Sequence, residues 1–145
     1  MSVTVQDRNQ QSFSVLTNAD KLANHTINIC FNEKNFPKKY RQVLSNELAR
    51  YAIGIALDVK EANDIKVKSR RDYLERRELQ NKVLSKCGRM LHLMQIAIDS
   101  VHFDAKRAEY WTSLAVEVQR SVAPWMESDM KRYGKFAPEL NEQNN

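Results

Sequence analysis

Apolar side chains recur at intervals of three and four residues through most of the chain, and this spacing predicts helices rather than strands. The clearest pattern runs from Pro37 to about Asn63, where it is kept for about seven turns. A first helix is expected from about Thr17 to Glu33, a third from near Ser69, and a fourth after Asp104. The chain therefore reads as four amphipathic helices in succession.

Local signals support these helix boundaries. Thr17 to Asp20 and Ser69 to Asp72 both have the spacing of a capping box, in which the first side chain accepts a hydrogen bond from a backbone N–H three residues later. Pro37 suits the first position of the second helix, because the N–H there has no intrahelical partner. Pro124 falls inside the fourth helix and is expected to kink it or to split off a final turn.

Short connections between the predicted helices favour neighbours that run in opposite directions. The β-branched runs typical of sheets are missing, and the chain holds three glycines and three prolines. We therefore expect an all-α fold, an antiparallel up-down-up-down four-helix bundle. The polar residues 1–13 are interpreted as a flexible arm, residues 14–133 as the bundle domain, and residues 134–145 as a flexible tail.

The second helix is apolar or small over a wider face than one bundle core requires. This width indicates two buried faces, one inside the chain and one between subunits of a homo-oligomer. Ile53 and Leu57 are the residues assigned to the interface between subunits. Trp125, beside Pro124 near the end of the last helix, is assigned as an anchor for the same interface.

The net charge is +5, and the positive excess is concentrated between Lys38 and Arg89. A basic face of this kind suits nucleic acid or another polyanion. The alternating signs around Arg71-Asp72 and Glu75 to Glu78 also fit an exposed helix face held by salt bridges, and both interpretations stay open. The candidate contacts for nucleic acid are Lys38, Lys39, Arg41, Lys66, Lys68, Arg70, Arg71, Arg76 and Arg77.

The positions of these basic residues along the helices predict two clusters. The start of the second helix carries the positive charges of Lys38, Lys39 and Arg41. The helix dipole favours negative charge at this position, so these residues are unfavourable for the helix itself. Their presence there indicates an anionic partner. In an antiparallel hairpin that start lies a helix length away from the start of the third helix. Arg76 and Arg77 are about 100° apart on a helix, so one is expected to contact phosphate while the other pairs with a nearby carboxylate.

Residue patterns that carry catalysis or metal binding are missing from the sequence. There is no Gly-rich phosphate loop, and His25, His92 and His102 have no carboxylate three or four residues later. Cys30 and Cys87 lie in apolar stripes and are interpreted as buried hydrophobic residues. We expect no catalytic residues, no metal and no cofactor; an undetected enzyme is the third alternative.

The chain has no apolar run of the roughly 20 residues that a membrane span needs. Its first residues also lack a basic head followed by an apolar stretch, so no signal peptide is expected. These observations predict a protein of the cytoplasm that does not enter the membrane.

Three segments of the sequence resemble segments of small bacterial four-helix-bundle proteins. This group includes proteins encoded by inserts in ribosomal-RNA genes and the accessory variability determinants of diversity-generating retroelements. The similarity covers about residues 16–133, and the charged segment between the second and third helices resembles the retroelement branch most. The three segments are Phe36-Pro37-Lys38-Lys39-Tyr40-Arg41, Ala62-Asn63, and Glu109-Tyr110-Trp111 with Glu117-Val118 and Trp125.

The resemblance implies a ring-like or barrel-like homopentamer with a positively charged surface. A protein of this kind associates with the retroelement's reverse transcriptase and its template RNA, and also with the cDNA, and supports mutagenic reverse transcription without catalytic residues of its own. The alternative is a structural oligomer of the ribosomal-RNA-insert type that does not bind nucleic acid directly.

Overall fold

The computed structural model describes residues 5–136, with side chains from residue 10 onward. Within this range the chain forms four α-helices and no strand, as the hydrophobic spacing predicted. The arrangement is that of a four-helix bundle. The helices are α1 (Val5–Cys30), α2 (Asn46–Asp64), α3 (Arg70–Val101) and α4 (Ala105–Arg132).

Helix α1 begins at Val5, well before the expected start at Thr17. Residues 5–13, which the sequence pattern assigned to an arm, are therefore helical. The apolar stripe continues on the N-terminal side of Thr17 through Val15, which is fully buried, so this part of the helix already packs on the core. The remainder of the predicted arm, residues 1–4, and most of the predicted tail, residues 137–145, lie outside the described residues.

The chain before α2 does not start as a regular α-helix. Pro37 has an extended backbone (φ −55°, ψ 149°), so it precedes the first helical residue instead of occupying it. A 3-10 turn at Lys38–Tyr40 and a π-helical turn at Arg41–Ser45 then lead into α2. The Ser45 hydroxyl donates to the Cys30 carbonyl oxygen over 2.8 Å and ties the π-helical turn to the end of α1.

This geometry overturns the prediction that the three basic residues after Pro37 lie at the start of α2, against the helix dipole. Lys38, Lys39 and Arg41 lie ahead of α2, whose first turn carries Glu47, the charge sign that a helix start favours. The local rule that seemed broken in the sequence is therefore kept at the start of α2.

The starts of α3 and α4 agree with the predictions. The Ser69 hydroxyl accepts a hydrogen bond from the Asp72 backbone N–H over 3.2 Å, as a capping residue does. The Asp104 carboxylate caps α4 in the same way over 3.0 Å. Of the two outcomes expected at Pro124, a kink or the splitting off of a final turn, the second does not occur, because α4 continues through Pro124 to Arg132. Buried Val122 and Trp125 flank the proline and hold both sides of it on the core.

Contacts between the helices bring particular helix ends together. Helix α1 packs against α2 and α4, and α3 packs against the same two helices. Near the end of α1, Thr26 accepts a hydrogen bond from the indole of Trp111, which lies near the start of α4. Near the start of α3, Arg76 pairs with Asp129, near the end of α4. The start of α3 and the end of α4 therefore share one end of the bundle.

Candidate nucleic-acid interface

The basic residues predicted to contact nucleic acid lie in two separate clusters. The first, called the proline end, consists of Lys38, Lys39 and Arg41. The Tyr40 hydroxyl donates to the Ser100 carbonyl oxygen over 3.4 Å, which places this cluster beside the end of α3. At 1.5 Å per helical residue, the start of α3 lies about 45 Å away. The separation by a helix length that the sequence predicted is therefore found in the structure.

The proline end is partly neutralised by one carboxylate. A Glu33 carboxylate oxygen lies 3.4 Å from Lys38 Nζ and 3.8 Å from Arg41 Nη2. The Lys39 ammonium lies over the Tyr40 ring, 5.1 Å from its centroid. These pairs are exposed and each contributes less than about 1 kcal/mol. They still lower the net charge that this end presents to an anion.

The second cluster, called the basic end, lies where the connection between α2 and α3 meets the end of α4. Lys66 and Lys68 in that connection and Arg71 in the first turn of α3 are exposed. The Lys68 backbone N–H donates to an Asp72 carboxylate oxygen over 3.0 Å, which holds the connection against the helix. The basic end consists of Lys66, Lys68, Arg70, Arg71, Arg77, Lys131, Arg132 and Lys135.

Three members of the basic end were missed by the sequence analysis. Lys131, Arg132 and Lys135 are exposed at the end of α4 and just after it. The segment 90–145 carries six basic and eight acidic residues, so its net charge hid them. The sequence signal for them is helix order, because in the predicted up-down-up-down arrangement the end of the fourth helix lies beside the start of the third.

Arg76 does not belong to this surface, contrary to the sequence prediction. Only 6 % of the residue is exposed. Its Nε and Nη2 atoms donate to the two carboxylate oxygens of Asp129, over 2.6 and 3.0 Å. The expected partner was a carboxylate on its own helix, whereas the actual partner comes from α4. Arg76 is therefore a buried structural residue whose charge is compensated inside the chain.

A signal for the burial of Arg76 was present in the sequence. Tyr73, Arg76, Gln80 and Val83 follow one another at steps of three and four residues, so Arg76 lies on the core stripe of α3. Asp129 continues the core stripe of α4 in the same way, seven residues after Val122. Opposite charges on the core stripes of two neighbouring helices predict a buried pair.

Arg77, the neighbour of Arg76, stays at the surface. Its Nη1 atom donates to the Tyr73 hydroxyl over 3.1 Å, and the residue is half-buried. The Tyr73 ring in turn lies 6.1 Å from the ring of Tyr133, at the end of α4. Arg77 is thereby held beside the other members of the basic end.

Several bases of this end lack a neutralising partner. Among the described residues, Lys66, Lys68, Arg71 and Arg132 form no ion pair, whereas Lys131 pairs with Glu127 over 3.4 Å. The guanidinium of Arg132 lies over the Tyr133 ring, 5.0 Å from its centroid, and this contact does not neutralise its charge. The basic end thus presents more unpaired positive charge than the proline end does.

The residues assigned to a subunit interface divide between surface and core. Ile53 and Leu57 are 41 % and 62 % exposed on α2, so their apolar side chains are available to another surface. Trp125 is 1 % exposed and packs within its own chain, with the Arg76 guanidinium 5.2 Å from its ring centroid. The assignment of Trp125 as an anchor between subunits is wrong, since α4 turns it toward α3.

Titratable groups outside the basic end show ordinary structural roles. Burial raises the pKa of the Cys30 and Cys87 thiols to about 12. Burial, with Lys21 nearby, lowers the pKa of His25. Among the described residues, no three side chains of His, Cys, Asp or Glu come together as a metal site would require. No helix in the described part of the chain is both long and apolar enough to cross a membrane.

Comparison with known proteins does not assign this chain to a family. No family model matches it, and no curated protein or solved structure matches it. The candidate interface is therefore defined by its own charges and contacts.

Proposed function

We propose that this protein is a non-catalytic nucleic-acid-binding protein that uses the basic end as its contact surface. The observation that carries the proposal is that Lys66 and Lys68, from the connection between α2 and α3, and Arg132, from the end of α4, surround one pocket at one end of the bundle and form no ion pair with a described residue. Phosphate groups recruit lysine and arginine in this way, and the release of counterions supplies most of the affinity.

The resemblance of the helix junctions to accessory variability determinants supports a more specific role. In that role the protein associates with the reverse transcriptase of a diversity-generating retroelement and with its template RNA or cDNA, and supports mutagenic reverse transcription in the cytoplasm. The polymerase chemistry belongs to the partner enzyme. The lysines and arginines of the basic end bind the phosphates of the nucleic acid.

The same proposal includes an antiparallel bundle that assembles into a ring-like homo-oligomer, with five subunits by the resemblance. The contacts between Arg76 and Asp129 and between Thr26 and Trp111 support the antiparallel order. The exposed Ile53 and Leu57 side chains support assembly through α2. A ring would set several basic ends side by side, which gives a nucleic acid a continuous path.

The direct test is binding of structured RNA at about 50 and 200 mM salt. We expect affinity to fall steeply with salt, and the variant Lys66→Gln/Lys68→Gln/Arg71→Gln/Arg132→Gln to bind weakly. If all four side chains contact phosphates, the variant also lowers the slope of log affinity against log salt by about three. Arg76 is left unchanged so that the fold is kept.

The matched control removes the same number of positive charges elsewhere. Lys21, Arg50, Lys106 and Arg120 are exposed and lie outside the basic end, and their fourfold change to Gln is expected to keep most of the affinity. Equal losses in the two variants would mean that net charge, and not this surface, controls binding. Absence of RNA binding at low salt would reject the proposal.

A second candidate function is favoured by the exposed apolar face of α2. A structural oligomer of the ribosomal-RNA-insert type would use Ile53 and Leu57 for assembly and would not bind nucleic acid. An assembled protein without affinity for RNA at low salt would support this candidate.

A further inference from the structure

A pocket of about 390 Å³ opens within the basic end. It lies where α1, the connection between α2 and α3, and the end of α4 meet. Ser12, Lys66, Lys68, Trp125, Ser128 and Arg132 are among the residues that line it. Its volume lies in the usual range for sites that hold small ligands.

The charges around this pocket are not balanced. Arg76 lines it too, but Asp129, also a lining residue, neutralises that guanidinium through two hydrogen bonds. Lys66, Lys68 and Arg132 form no ion pair with any described residue. Three positive charges without an ion-pair partner among the described residues therefore surround one cavity, and such an arrangement attracts an anion with more than one negative charge.

The hydrogen-bonding groups of the pocket favour the same kind of ligand. The Trp125 indole N–H is buried and has no hydrogen-bond partner among the described residues, which is a costly condition for a donor. The other tryptophan provides the contrast, since the Trp111 indole donates to the Thr26 hydroxyl over 3.0 Å. The Ser12 and Ser128 side chains add hydroxyl donors to the lining.

We propose that this pocket binds a phosphate monoester, a group that carries close to two negative charges and three strong acceptor oxygens. Strand ends of nucleic acids and free mononucleotides both present this group. In the first case the inference rests on the proposed function, because the basic end would hold the strand while the pocket holds its terminal phosphate. The lysines and Arg132 supply charge, and the Trp125 N–H gains a partner.

The first test follows the two indole N–H signals by nuclear magnetic resonance while inorganic phosphate, AMP or adenosine is added at millimolar concentration. The Trp125 signal is assigned with the variant Trp125→Phe. We expect phosphate and AMP to shift the Trp125 signal, adenosine to leave it unchanged, and the Trp111 signal to stay in place because Thr26 already accepts its hydrogen bond.

A pair of variants locates the binding. Lys66→Gln/Arg132→Gln is expected to weaken AMP binding by about tenfold or more. The control Lys21→Gln/Arg120→Gln removes two exposed charges away from the pocket and is expected to bind AMP as the wild type does. No response to phosphate or AMP, or an equal response to adenosine, would overturn the inference even if RNA binds.

The second test separates the two sources of the phosphate and uses one short RNA with either a 5′-phosphate or a 5′-hydroxyl. Tighter binding of the phosphorylated strand, lost in Lys66→Gln/Arg132→Gln, supports capture of a strand end. Equal binding of the two strands, with AMP still bound, overturns the strand-end assignment and identifies a free phosphorylated compound as the ligand. Binding of AMP without any RNA binding would reject the proposed function while the pocket assignment stands.

Discussion

Arg76 and Asp129 form a bidentate ion pair inside the bundle, with 8 % and 5 % of their side chains exposed. The pair joins the start of α3 to the end of α4. The remaining groups are satisfied as well, because Arg76 Nη1 donates to the carbonyl oxygens of Ala62 and Ile65, and Gln80 donates to Asp129. One guanidinium thus holds the ends of three helices together, directly beneath the basic end.

The change Asp129→Asn is expected to destabilise the protein strongly. It removes the carboxylate charge that compensates Arg76, and a buried charge left alone costs about 3–5 kcal/mol. The free energy of unfolding, measured by chemical denaturation of the variant and the wild type, gives this difference directly.

Glu127→Gln provides the matched control for Asp129→Asn. It removes one negative charge from the same part of α4, but Glu127 is exposed and pairs with Lys131 at the surface. Its loss is expected to cost less than about 1 kcal/mol. Similar losses for the two variants would show that the Arg76–Asp129 pair does not hold the fold.

The hydrogen bond from Trp111 to Thr26 leads to a second prediction. Thr26→Val keeps the shape of the side chain but leaves the buried indole N–H without an acceptor, which costs about 1–3 kcal/mol. Thr26→Ser keeps the acceptor oxygen and loses one methyl group, so its cost is expected to be close to the transfer of one buried carbon, about 1 kcal/mol. Thermal unfolding of both variants should rank Val below Ser, and the reverse order would contradict the assigned hydrogen bond.

Much of the fold follows from the sequence because the relevant signals are local. The number of helices, the all-helical class and the capping residues Ser69 and Asp104 depend on the spacing of apolar side chains and on single hydrogen bonds. The start of α1 was misplaced because a polar composition does not prevent a helix when residues such as Val15 reach the core.

The candidate site was harder to predict because it combines distant segments. Lys131 to Lys135 lie near Lys66 to Arg71 because the end of α4 packs against the start of α3, where Asp129 pairs with Arg76. The fate of neighbouring residues Arg76 and Arg77 depends on which one falls on the core stripe, a distinction of about 100° around the helix. Composition and net charge contain neither piece of information.

The two buried thiols give a prediction about pH. Burial raises the pKa of Cys30 and Cys87 from 9.0 to about 12 in the folded protein. Between about pH 9 and 12 the unfolded chain therefore loses protons that the folded chain keeps, and the free energy of unfolding falls as the pH rises. Each thiol contributes up to about 1.4 kcal/mol per pH unit in that window.

The measurement compares the wild type with Cys30→Ala/Cys87→Ala by chemical denaturation at about pH 8 and pH 10.5. All other side chains are the same in the two proteins, so the difference between the two pH dependences isolates the thiols. The variant is expected to be less stable at the lower pH but to lose less stability at the higher one. If the wild type and the variant lose the same stability between the two pH values, burial does not raise the pKa of these thiols.

Leu57 is the residue that most directly tests assembly through α2. It is 62 % exposed in the single chain, so Leu57→Glu removes no core contact and is expected to leave the helical content unchanged. If α2 packs against a second subunit, the new carboxylate is buried in an apolar contact without a partner, and the oligomer dissociates. Light scattering coupled to size-exclusion chromatography measures the mass of the wild type, of this variant and of Lys21→Glu, an exposed change on a different helix, α1, that is expected to keep the assembly. A monomeric wild type, or an unchanged mass for Leu57→Glu, would show that this face is not a subunit interface.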